Sequence, residues 1–178
     1  MLSTMMHTPI GVSTLLAFGR RHFADSRVGD YDGEQIHWSS FAEVEAQAAR
    51  FANALAAEGF SRADVVATFM WNSTAHLAAY LAVPAMGGVL HTINCRLAAE
   101  QISYIINHAE DRWLLVDGRL EEQFAPVLAS IPKVEKIIVV APQGGLAHDP
   151  RVVSFAAFIG AHGDQFDWCE VPEEQAAG

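Results

Sequence analysis

A chain of 178 residues with 11 Lys+Arg against 21 Asp+Glu carries a formal charge of −10, which disfavours nucleic acid and anionic membrane surfaces as partners. Arg20-Arg21 is the only adjacent basic pair, and no aromatic side chains interleave with it. An apolar share of 51% and a mean hydropathy of +0.17 exceed what one α/β domain of this length needs for its core, so further chain, or secondly a dimer partner, is expected to cover part of the surface.

Residues 1–12 show no periodicity and read as a loose segment. Residues 13–162 read as one α/β unit and 163–178 as an irregular acidic linker. The spacing predicts a helix over Val12–Phe23, with Ser13 as a candidate cap. Arg20 and Arg21 follow the first apolar segment instead of preceding it, unlike a secretion signal, and the expected location is the cytoplasm. Arg27–Asp32 and Gln35–Trp38 flank Asp32-Gly33, a hairpin signal. A helix opens at Ser40, where Glu43 completes a capping box. Phe41, Val44, Ala48, Phe51 and Leu55 give it one apolar face, and Gly59 ends it.

From there apolar strands alternate with helices. Strands are predicted at Val65–Met70, Val89–Ile93, Trp113–Val116 and Ile137–Ala141. Helices are predicted at Thr74–Met86 (capped by Asn72 or Ser73), Ala98–His108 and Leu120–Ser130, with Leu120, Phe124, Val127 and Leu128 on one face of the last; Val152–Ala161 reads as a short helix. Val65 to Cys95 contains no Asp, Glu, Lys or Arg and is long enough to span a bilayer. Asn72-Ser73-Thr74, Pro84, Gly87-Gly88, His76 and His91 break it up, so a buried β-α-β unit is the better reading, and membrane contact is at most peripheral. The expected fold class is α/β: a three-layer, mostly parallel sheet flanked by helices, with a small N-terminal β-hairpin.

Few residues here can do chemistry. Lys133 and Lys136 are the only lysines, and there is no GxxxxGK[ST] phosphate loop, no GxGxxG and no GxSxG nucleophile turn. Cys95 and Cys169 have neither a CxxC pattern nor metal-ligand spacing and read as free thiols. His108, Glu110 and Asp111 could be a base with carboxylates; the plainer reading is a helix C-terminus with acids facing water. His91, Thr92, Asn94 and Arg96 emerge at a strand end, with Trp71 and Asn72 at the end of the strand before. In an open parallel sheet such ends face ligand crevices, though Asn and Thr also serve turns. Contact with a ligand or another domain is expected at these six residues. No catalytic, cofactor-binding or metal residue can be assigned.

WNSTAHLAAYLAVPAMGGVLHTINCRL, followed by EQISYIINHAEDRWLLVD, resembles the N-terminal region of AMP-forming fatty-acyl-CoA ligases, medium- and long-chain members of the adenylate-forming superfamily. Ser40-Phe41-Ala42-Glu43 and GFSRADVVATFMWN are similar to further family segments, and the resemblance runs from about Thr14 to the end. Ala63 stands where the family usually has glycine and Cys95 where it usually has proline, which leaves the local turn geometry open. The resemblance implies a parent enzyme that uses ATP, magnesium and coenzyme A to convert a fatty acid first to acyl-AMP and then to acyl-CoA, as a homodimer. It also implies that Gly178 precedes the family's phosphate loop, so the chain alone is an inactive N-terminal fragment. His91→Ala is then expected to change CoA-dependent turnover more than adenylation. The competing reading is a self-sufficient, non-catalytic α/β interaction or regulatory module.

Overall fold

A computed structural model describes Thr4 and residues 9–178. Most of the loose segment expected at 1–12 therefore lies outside the described residues. The first helix, α1, spans Val12–Phe23; it is capped by Gly11 with no side-chain bond, so Ser13 lies inside it and is not its cap.

The hairpin forms from β1 (Arg27–Tyr31) and β2 (Ile36–Ser40), paired antiparallel with Gly29 opposite Trp38. Asp32 closes the turn by accepting the main-chain N–H groups of Glu34 and Gln35 at 2.8 and 2.9 Å. Helix α2 (Phe41–Ala57) begins with the expected capping box: the Glu43 amide donates to Ser40 Oγ at 3.2 Å, and the Ser40 amide donates to Glu43 Oε2 at 2.7 Å. Val44, Ala48, Phe51 and Leu55 are fully buried along its inner face. Each large side chain there contributes about 1.5–3 kcal/mol of burial. Gly59 takes φ +82°, the left-handed conformation that a helix end favours.

Five runs then build one parallel sheet: β3 (Val65–Phe69), β4 (Val89–Thr92), β5 (Trp113–Asp117), β6 (Lys136–Val140) and β7 (Val152–Ser154), in the order β4-β3-β5-β6-β7. Their side chains alternate between two covered faces. Trp113, Leu115 and Ile138 pack with Phe51, Leu55 and Val83 on one side, while Leu114, Val116, Ile137 and Val139 pack with Ile102, Ile106 and Phe124 on the other. Helices α2, α3 (Thr74–Ala85) and α6 (Phe155–Gly160) cover the first face, and α4 (Ala99–Ala109) and the 118–131 segment cover the second. The three-layer parallel architecture matches the sequence expectation.

Two elements depart from it. Leu120–Ser130 is not one helix: a 3-10 turn at Gly118–Leu120 leads into a single α turn, α5 (Glu121–Phe124), and then a 3-10 segment, Ala125–Ser130. Pro126 has no N–H to continue an α ladder, so the segment tightens there. The expected face survives, with Leu120, Phe124, Val127 and Leu128 all buried. Val152–Ala161 likewise divides into β7, the fifth strand of the sheet, and α6, whose cap is the Ser154 hydroxyl accepting from the Ala157 amide at 3.2 Å.

Ala63 adopts φ 68°, so the turn keeps a left-handed residue although the side chain is not glycine. Among the described residues no helix is long and apolar enough to cross a membrane. Residues 163–178 contain no regular element yet lie along the fold: Asn53 donates to the carbonyls of Gly163 and Gln165, and Phe166 and Trp168 pack against the first core face.

Candidate functional site

The chain runs from β3 outward to β4 and then crosses back to β5 on the other side of β3. Such a reversal opens a crevice outside the carboxyl ends of the two diverging strands, where ligands of open α/β sheets bind.

At the end of β3 the chain passes through Trp71 and Asn72, both exposed at the crevice rim, into the cap of α3. The Ser73 hydroxyl accepts the His76 amide at 3.1 Å, and the Thr74 amide donates to Asp30 Oδ2 at 2.9 Å. A hairpin carboxylate therefore sits on the positive end of α3 and fixes the hairpin beside the crevice. His76, buried under this corner, has Nδ1 3.2 Å from the Trp71 carbonyl and Nε2 3.0 Å from Thr68 Oγ1. Burial lowers its pKa, favouring the neutral ring, and both nitrogens are engaged. It holds the Trp71 main chain in place. Between corner and hairpin lies a groove of about 310 Å³, lined by Val28, Gly29, Asn72, Ser73, His76 and Tyr80 among others.

At the end of β4, Thr92, Asn94 and Arg96 follow one another along the chain, with Thr92 and Asn94 exposed. Asn94 Oδ1 accepts the Arg96 amide at 3.0 Å, so its carboxamide shapes the turn and leaves its NH₂ outward. Among the described residues the Arg96 guanidinium has no ion-pair partner. Cys95 is buried between them, 3.6 Å from the Met70 carbonyl, and burial raises its thiol pKa, so it is a packed thiol and not a nucleophile. Both cysteines are free.

The end of β5 supplies the residues that sequence reasoning missed. Asp117 accepts from the Arg119 amide at 3.0 Å, from its Nε at 2.9 Å and from its second terminal nitrogen at 2.7 Å. Burial pulls the Asp117 pKa up, but these bonds outweigh it and hold the carboxyl below its ordinary value. A strand-end acid in WLLVDGR, two residues before an arginine, was the available signal. Gly118 lets β5 and β6 close there, because a Cβ would lie 2.0 Å from the Ala141 carbonyl oxygen.

The six sequence-expected residues thus divide. Trp71 and Asn72 end β3, and Thr92, Asn94 and Arg96 end the neighbouring β4, along one edge of the crevice. His91 stands apart from them: its Nδ1 lies 2.9 and 3.1 Å from the two oxygens of Asp111, which precedes β5 on the amino side of the sheet. Asp111 is fully buried, so the expectation that this acid faces water is corrected. Glu110, by contrast, is exposed and pairs with Lys133.

The family model for AMP-binding enzymes matches residues 20–157. The chain belongs to the AMP-binding enzyme family. Over 99% of its length it is 35% identical to a medium-chain-fatty-acid–CoA ligase of Ectopseudomonas oleovorans and 38% identical to a long-chain-fatty-acid–CoA ligase of Thermus thermophilus. A 3-methylmercaptopropionyl-CoA ligase of Ruegeria pomeroyi is 30% identical over the same share. The chain covers 33%, 31% and 33% of these three proteins, about a third of their length. Among solved structures, an anthranilate CoA ligase in complex with anthranoyl-AMP aligns with 98% of this chain and 32% of its own, at a TM-score of 0.82 and 16% identity. At that identity the likeness is one of fold. The chain shares that fold, built here around a five-stranded parallel sheet.

Proposed function

We propose that this chain is the N-terminal α/β portion of an AMP-forming fatty acid–CoA ligase, that it contributes a wall toward coenzyme A, and that it catalyses nothing alone. In the whole protein a fatty carboxylate oxygen attacks the α-phosphorus of ATP and displaces pyrophosphate. The CoA thiol then attacks the acyl carbon and releases AMP. The first step joins anions, which calls for magnesium and a cationic side chain at the developing charge. Among the described residues no three His, Cys, Asp or Glu side chains converge to hold a metal, and both lysines are paired with glutamates. No part of that step is assigned to them.

Coenzyme A fits better. Arg96, the outward amide of Asn94 and the Thr92 hydroxyl offer cationic and neutral donors at one strand end, the donor set that phosphoryl oxygens take. The Arg96 guanidinium, without an ion-pair partner among the described residues of a chain of net charge −10, is the observation that carries this reading. The ligase names of the relatives support a fatty acid as the other substrate. The same reading makes the whole protein a cytoplasmic homodimer, supported by the exposed apolar residues of α1 and the hairpin.

Arg96→Ala in the whole protein tests the assignment. The KM for coenzyme A should rise about tenfold, one lost charge-assisted bond, while ATP–pyrophosphate exchange driven by fatty acid stays unchanged. Equal losses in both half-reactions, or no loss in either, would remove Arg96 from the CoA wall. The 178-residue chain by itself should form no acyl-CoA.

A further inference from the structure

A parallel sheet has two open edges, here β4 and β7. β7 is three residues long, and short edge strands template other chains poorly. β4 is an edge strand of four residues, Val89–Thr92. Along a parallel strand successive amides point alternately to either side. The Val89 amide donates inward to the Asp64 carbonyl at 2.9 Å, and the Ile93 amide donates to the Thr68 carbonyl at 2.9 Å. Leu90 and Thr92 therefore face outward, and such donors are what an added strand would take.

The outward Leu90 amide is occupied. It donates to the Ala177 carbonyl at 3.0 Å, and the neighbouring Gly178 lies so close that a Cβ would come within 3.0 Å of the Leu90 carbonyl oxygen. The approach to this contact is anchored along its length. Arg50 pairs with Asp164 at 3.4 Å, and Asn53 donates to the carbonyls of Gly163 and Gln165, both at 2.9 Å. Phe166 and Trp168, with centroids 4.9 Å apart, pack on the core; Cys169 Sγ lies 3.4 Å from the Ala85 carbonyl; Arg62 donates to the Glu170 carbonyl at 3.1 Å; and Gln175 donates to the Gly87 carbonyl. A segment with no helix or strand is thus laid from α2 past the end of α3 to the open edge.

We propose that residues 163–178 are an intramolecular edge guard: docked, they fill the strand-accepting site of β4; undocked, they leave an edge that pairs with β4 of a second copy of this chain. The driving force is the unpaired main chain itself, since each exposed edge donor and acceptor finds a partner when another edge meets it. Docking in cis wins because residues 163–178 belong to the same chain as β4, which makes their effective concentration far higher than that of a second chain. Trp168 and Phe166 act as the anchor, and Ala177 makes the closing contact.

Hydrogen exchange of the Leu90 amide and sedimentation of the full chain read both halves of this proposal. In the unaltered chain the Leu90 amide should be protected. Trp168→Ala should speed its exchange at least about tenfold and add a concentration-dependent association step. Deletion of 175–178, which touches no core side chain, should do the same and serves if Trp168→Ala fails to fold. Thr92→Pro removes the other outward donor at a position where an edge strand tolerates proline, and combined with either change it should abolish the added association. An unprotected Leu90 amide in the unaltered chain, unchanged exchange or association in the variants, or added association that survives Thr92→Pro would each overturn the proposal.

Discussion

His91 and Asp111 show how much one residue's setting can change its meaning. An acid directly after a helix reads as solvated, because most such acids are; here it is fully buried and its carboxylate is matched by one imidazole. Burial raises the Asp111 pKa, while the hydrogen bond and charge of His91 act against that shift. Removing the ring leaves an uncompensated buried carboxylate, so His91→Ala should cost about 3 kcal/mol near neutral pH. A carboxyl whose folded pKa lies above its ordinary 3.8 contributes stability fully below 3.8 and loses it as pH rises through the raised value. Without His91 the raised value climbs further, so protonation on acidification relieves the variant more than the unaltered chain. Urea unfolding at about pH 7 and about pH 5 should therefore show the deficit shrinking toward acid; a deficit of the same size at both would mean that Asp111 takes up no proton over that range. At the crevice it was position that was legible: Trp71 and Asn72 follow β3, and Thr92, Asn94 and Arg96 close or follow β4, as the strand pattern led one to expect. Asp117 escaped notice because an acid closing an apolar run looks like the start of a loop, although Arg119 holds it from two residues away.

At the scale of elements, legibility followed redundancy of signal. Helix α2 carried a capping box, a five-residue apolar face and a terminal glycine, and the structure contains all three. β3, β4, β5 and β6 read correctly to within a residue or two because unbroken apolar runs between helices have few other uses in a chain this size. Val-Val-Ser carried too little pattern for a strand, and only its partner β6 reveals it as one. Leu120–Ser130 had the right face and the wrong hydrogen bonds, since the period of apolar residues does not report where a proline interrupts the ladder. Its geometry depends on a contact that no local pattern announces. The buried carboxylate of Glu121 accepts the Gln143 amide at 2.6 Å and the Leu146 amide at 3.0 Å, tying the broken helix to the loop after β6. Glu121→Gln keeps one acceptor oxygen and loses the other, so it should lower stability by about 2 kcal/mol with loosened hydrogen exchange at Gln143 and Leu146. An unchanged urea midpoint with both amides still protected would show that the loop holds itself.

Over the whole molecule, the apolar surplus in the composition reappears as a surface. Leu15, Phe18 and Phe23 on α1 are 58, 54 and 53% exposed, and Tyr31, Ile36 and Trp38 on the hairpin are 59, 52 and 53% exposed. On the hairpin's outer face Trp38 and Ile36 lie over Gly29, and Arg27 stacks on Trp38 at 4.4 Å from the ring centre. Gly29 also lines the groove that Tyr80 shares, so the hairpin's aromatic surface runs on to α3. Single exposed apolar residues are ordinary, but three on one helix and three on one hairpin are expected to meet another surface. In a chain that spans about a third of its relatives' length, such a surface should bind a hydrophobic dye while the fold is intact. Native 178-residue chain should therefore enhance anilinonaphthalene sulfonate fluorescence below its unfolding transition, and Phe18→Ser with Trp38→Ser should reduce that signal roughly by half at an unchanged urea midpoint. Because these side chains are more than half exposed already, removing them costs the fold little, and only the dye signal should move. Dye binding that falls together with the midpoint would instead mean that Phe18 and Trp38 belong to the core.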